Sequence, residues 1–89
     1  MKAVVTVVGK DTKGIIAKVS TALFEADVNI LDISQTIMQD LFTMIMLVDC
    51  GDSEYTISDI NDKLQKTAEE MGMSIRVQRE DIFSSMHKV

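Results

Sequence analysis

AVVTVVGKDTKGIIAKVSTALFEADVNI, residues 3–30, changes its period at Gly14 and again at Asp27, and those two changes decide the fold. Ala3 to Val8 is an unbroken apolar, β-branched run ended by Gly9. That is the pattern of an interior strand covered on both faces. From Gly14 to Ala26 the apolar residues Ile15, Ile16, Val19, Ala22, Leu23 and Ala26 recur at helical spacing, with Lys18 and Glu25 off the stripe. Asp11 or Thr12 is the natural N-cap, because its side-chain oxygen can accept a first-turn amide that has no partner inside the helix. Asp27 to Asn29 then turn the chain into a second extended segment.

Outward from this stretch, a strand runs from about Ile30 to Gln39 and another from Phe42 to Cys50. The connection Gln39-Asp40 is too short for a crossover, so the two form an antiparallel hairpin. Cys50 to Ser53 is a loop. A second helix covers about Thr56 to Met71, with Ile57, Ile60, Leu64, Ala68 and Met71 on one face and Gly72 as its stop. Met73, Ile75 and Val77 alternate with Ser74, Arg76 and Gln78, the period of a half-exposed strand. The order is β-α-β-β-α-β. With right-handed connections this becomes an α+β, ferredoxin-like βαββαβ sandwich, its antiparallel sheet ordered 4-1-3-2 with two helices on one face. Residues 1–80 make the domain. Residues 81–89, with Ile82, Phe83 and Met86, are expected to form a short helix packed on the sheet or on a partner subunit.

The bulk properties narrow the function. A chain of 89 residues is a single domain, burying roughly 60–65% of its unfolded surface. The formal charge of −5 and the lack of a basic patch argue against nucleic acid, whose binding rests on phosphate neutralisation. Lys10, Lys13 and Lys18, interrupted by Asp11, can attract a small anion at most. The apolar run after Lys2 is too short to span a bilayer and is followed by no small-residue cleavage site, so a cytoplasmic location is expected. Cys50 is the only cysteine, which leaves no internal disulfide, redox pair or cysteine metal site. Cys50 and the lone His87 are too far apart in the chain's plan to pair as nucleophile and base, and Glu69 and Glu70 belong to a solvated helix face. No enzyme, metal or cofactor is expected. The methionines, Met44 and Met46 among them, read as adaptable core filling.

What remains is the segment Gly9-Lys10-Asp11-Thr12-Lys13-Gly14-Ile15-Ile16. Its glycines let the backbone bend and let another group approach closely. The amides opening the helix favour a carboxylate, and Asp11 can accept from an ammonium group, a combination suited to a free amino acid. The plainer reading is a capped βα turn that binds nothing.

This loop, followed by Ala26-Asp27-Val28-Asn29-Ile30, resembles the ACT domain signature: G-x-D-x-x-G-aliphatic after the first strand, then a [G/A]-x-N-I step. The likeness spans Ala3 to Glu80. It is narrowest to the small stand-alone ACT proteins of bacteria and archaea, relatives of the ACT repeats of the glycine cleavage system repressor. ACT domains are small-molecule modules whose ligands, often amino acids, sit between paired domains. The resemblance therefore implies ligand contacts from Asp11, Thr12, Gly14 and Ile15 of the first loop and from Asn29 and Ile30. Asn29 offers an amide donor and acceptor to an amino acid's head group, or else serves as an Asx-type turn residue. With no appended output domain in view, the signal would leave through a protein partner or a change of assembly.

Assembly has its own argument. The third strand places Phe42, Met44, Met46 and Val48 on one face and Ile45 and Leu47 on the other, and the first strand is apolar on both. A sheet with helices on one side only would leave an apolar patch open, so a second subunit or the C-terminal segment should cover it. A homodimer is expected, and pairing the second strand with its symmetry mate would set both first loops beside the dimer axis.

Overall fold

The computed structural model describes residues 1–10, 13–51 and 56–82. In chain order the elements are β1 (Lys2–Lys10), α1 (Ile15–Glu25), β2 (Asn29–Met38), β3 (Leu41–Asp49), α2 (Ile57–Met71) and β4 (Ser74–Arg79). The strands form one antiparallel sheet in the order β2-β3-β1-β4, the ferredoxin-like arrangement that the element order demands.

Alternation along the strands sorts the sheet into two faces. Ala3, Val5 and Val7 of β1 stand beside Phe42, Met44, Met46 and Val48 of β3 and Ile75 of β4 on the helix-covered face. There they meet Ile15, Val19, Ala22 and Leu23 of α1 and Ile60, Leu64 and Ala68 of α2. On the other face lie Val4, Thr6 and Val8 with Leu47, Ile45 and Thr43 across the β1–β3 ladder. Val4 is buried there too, as an interior strand with apolar residues on both faces requires. Both methionines of β3 are core, fully out of water.

The helices run antiparallel to each other, tied by Lys18–Glu70 at 3.8 Å and Lys63–Glu25 at 3.7 Å, one pair towards each end of their contact. Both pairs are solvent-facing, and such pairs contribute about 0–1 kcal/mol. The packed apolar faces carry the stability.

Several local expectations need correction. β1 runs through Gly9 to Lys10 instead of ending at the glycine. Gly9 stays in the ladder, opposite Phe42, and the space where its β-carbon would lie is taken by the Met73 side chain, which excludes a larger residue here. The N-cap of α1 is neither Asp11 nor Thr12 but Gly14, at φ 83°, with no side-chain cap bond. The left-handed turn at this glycine starts the helix at Ile15. Ile16 belongs to no buried stripe and is 42% exposed.

The far end of α1 closes with a Schellman motif. The Val28 amide donates to the Leu23 carbonyl and the Asp27 amide to the Phe24 carbonyl, both at 3.0 Å. Asp27 itself sits at φ 60°, where glycine is the usual occupant. α2 is capped at both ends: Thr56 and Asp59 form a reciprocal capping box, and Gly72 at φ 66° ends the helix.

β2 pairs only with β3, and its ladder breaks between Ile30 and Asp32, where Leu31 is an extra residue. Residues beyond the break, Asp32 to Met38, are all exposed. After β4 the backbone turns helical over residues 80–82, with Arg79 paired to Asp81 at 3.2 Å. The expected helix over 81–89 lies, beyond residue 82, outside the described residues.

Candidate functional site

The six residues expected to hold a ligand fall into two groups. Asp11 and Thr12 lie outside the described residues. Gly14 is exposed at the head of α1, and the first bond inside that helix runs from the Lys18 amide to its carbonyl, 2.9 Å. Ile15 is only 2% exposed and its side chain is part of the core. What Ile15 can offer a ligand is therefore its amide, in the helix's first turn, where partial positive charge collects.

This loop opens at the end of the sheet where Lys10 pairs with Leu41 and Leu41 with Met38. A hollow of about 340 Å3 lies at that end, lined by Gly9, Lys10, Met38, Gln39, Asp40 and Leu41. The hairpin turn Gln39-Asp40 is tight, with Gln39 at φ 55°.

Asn29 and Ile30 sit at the opposite end. Asn29 opens β2 opposite Asp49 and is exposed, whereas Ile30 is half-buried against the core. A hollow of about 420 Å3 is formed there by Phe24, Asp27, Val28, Asn29, Asp49, Cys50 and Gly51. Asp49 accepts the Gly51 amide at 2.8 Å through Oδ1, which also lies 3.7 Å from the terminal ammonium of Met1. The Cys50 thiol is buried. Desolvation pushes its pKa up and the Asp49 carboxylate adds to the rise, against a partly opposing pull from the Met1 ammonium. A thiol held protonated is a poor nucleophile.

The separation of the two groups is the main geometric result. An 11-residue helix lies between them, about 16 Å at 1.5 Å per residue. A single protomer does not bring Gly14 and Asn29 onto one ligand. Phe24 and Asp27, which the sequence reading passed over, lie beside Asn29. The signal for Phe24 was present, since it is a large aromatic off the apolar stripe of α1, and it is 80% exposed. That for Asp27 was its place just after the helix, where a left-handed residue is common.

A third hollow, about 440 Å3, runs between α1 and α2 beside Ala17, Thr21, Ala22 and Thr67, and the ion pairs Lys18–Glu70 and Lys63–Glu25 border it. Among the described residues no three His, Cys, Asp or Glu side chains stand together as a metal site would need. No described helix is long and apolar enough to cross a membrane.

The ACT domain family model matches residues 2–78, every strand and helix of the fold nearly to the end of β4. This chain is an ACT domain. A UPF0237 protein of Clostridium acetobutylicum is 52% identical over 89 residues, with 100% of each chain covered. An ACT domain protein from Streptococcus pneumoniae, a solved structure, superposes with a TM-score of 0.82 at 37% identity, with 93% of each chain covered. A structure described as a glycine cleavage system transcriptional repressor gives a TM-score of 0.76 at 26% identity, covering 88% of this ACT chain and 44% of that one. ACT domains form a regulatory family; they often bind amino acids or other small metabolites, and they often dimerise.

Proposed function

We propose that this ACT domain is a regulatory protein of the cytoplasm that binds an amino acid at the first strand–helix loop, beside an interface between two copies. The observation that supports this reading is the left-handed Gly14 at the head of α1, which leaves the helix's first-turn amides without a side-chain cap from their own N-cap residue. Those amides suit a carboxylate, and Asp11 suits an ammonium group. Asn29 adds a neutral donor and acceptor. Because Asn29 lies at the far end of its own protomer, it joins the loop only through a second copy. Similarity to a transcriptional repressor of glycine cleavage is in keeping with a sensor of small metabolites.

A thermal-shift screen against the common amino acids tests this. A ligand at a hundredfold its dissociation constant adds about 2.7 kcal/mol of apparent stability. The response should vanish in Asp11→Ala and weaken in Asn29→Ala. The exposed apolar residues of β2 and β3 favour a second reading, a module that docks a protein partner on its sheet and binds no metabolite. Silence across the whole screen, with both variants indistinguishable from the parent, would select it.

A further inference from the structure

We infer that the ligand is an amino acid with an apolar side chain, and that this side chain lies in the hollow between the β2–β3 hairpin and the end of β1. The inference rests on the amino-acid reading of the first loop and adds the class of ligand to it. The hollow measures about 340 Å3. Small-molecule sites of this size have mostly apolar walls, with a few polar groups set among them.

Met38 and Leu41 supply the apolar wall. They face each other in the last rung of the β2–β3 ladder, and Lys10 stands beside Leu41 in the same row. Residues flanking a hairpin turn lie in water, yet Met38 is 66% exposed, more than any other large apolar residue of the sheet, and Leu41 is 47% exposed. Ile37, the residue before Met38, is exposed as well, and so is Ile16 in the first turn of α1. Single exposed apolar residues are ordinary on a protein surface. Here Ile16, Ile37, Met38 and Leu41 gather at the one end of the sheet where the first loop leaves β1, and a gathered patch marks a place of contact. Gly14 follows Lys10 by four residues, so the head of α1 lies no more than about 14 Å from Lys10.

Charge on the rim selects neither kind of ionised side chain. Lys10 taken alone would favour glutamate and Asp40 taken alone would favour lysine, but both line the hollow and their signs offset. What distinguishes one ligand from another is then the apolar area that Met38 and Leu41 remove from water.

A homologous series tests this. Calorimetric titration of the full chain with alanine, 2-aminobutyrate, norvaline and norleucine varies the length of the side chain and nothing else. Each added methylene should tighten binding about two- to fourfold, fourfold being the limit for complete burial. Methionine should bind at least about tenfold more tightly than glutamine, which has similar length and a polar end that must shed its water. Met38→Gln and Leu41→Thr alter exposed positions and should flatten the dependence on chain length, with alanine binding as before. Ile45→Thr, an exposed position in the middle of the open sheet face, should keep the full dependence. A flat series in the parent, or tighter binding of glutamine, glutamate or lysine than of methionine, overturns the inference and leaves the amino-acid reading standing. An undiminished dependence in the Met38→Gln, Leu41→Thr double variant removes the side chain from this hollow and likewise overturns it. Binding of no amino acid at all overturns both.

Discussion

Gly9 and Met73 are packed so closely that a β-carbon on the glycine would lie 2.5 Å from the Met73 sulfur and 3.3 Å from its Cα. The sulfur can move, being well along a flexible side chain, but the backbone atom moves only with β4. Gly9→Ala should therefore cost about 1–3 kcal/mol, as overpacking in a filled core does. Urea denaturation measures it. Combined with Met73→Ala, the loss should be smaller than the sum of the two single losses, since the second change removes the obstruction. Strict additivity would show that the contact is not what excludes a side chain at Gly9.

The capping box of α2 is a second isolable contribution. Thr56 Oγ1 accepts the Asp59 amide at 3.2 Å, and Asp59 Oδ2 accepts the Thr56 amide at 3.0 Å. Thr56→Ala should lower stability by about 1 kcal/mol. In a domain of this size that is a fall in melting temperature of roughly 4–8 °C. A calorimetric scan in which Thr56→Ala melts with the parent would contradict it.

Asp27 occupies the left-handed position of the Schellman motif that ends α1. Asp27→Gly should match or slightly exceed the parent in stability, because glycine adopts that backbone without steric penalty. Asp27→Val should lose about 1–2 kcal/mol, the cost of a β-branched residue in left-handed geometry. The ordering of the two variants in guanidinium is the decisive reading.

Burial of Cys50 predicts a dependence on pH. Its thiol pKa is higher in the folded protein, chiefly through desolvation. The folded chain thus keeps the proton that the unfolded chain gives up first. Stability from this group is intact below the ordinary thiol range and declines as the pH rises from there through the raised pKa. Cys50→Ala should remove that alkaline decline, seen as a flatter plot of unfolding free energy against pH. In the parent, a thiol reagent should modify Cys50 only as fast as the structure opens.

The strand and helix pattern was legible because its signals were local. The apolar run of β1, the stripe of α2 and the alternation Met73, Ile75, Val77 each depend on neighbours within a few residues. Gly14 was harder. As a sequence, Asp11-Thr12 followed by a helix is a capping signal, and only the left-handed turn two residues later moves the cap. The candidate residues could be named from the sequence, but their arrangement could not. Gly14 and Asn29 are fifteen residues apart in the chain, which hides that α1 carries the second to the opposite end of the sheet. The exposure of Ile33 and Ile37 was likewise invisible, because their pattern is that of residues with a cover.

The extra residue at Leu31 leaves a further mark. Ile30 and Ile33 face the helices although they are three positions apart, which an unbroken strand cannot arrange. Removing Leu31 would leave Asn29, Ile30, Asp32 and Ile33 in plain alternation, with every side chain on the face it already holds. This is the one place in β2 where the chain can shorten by a residue without turning the strand over. Relatives that differ by a single-residue gap in this strand should carry it here.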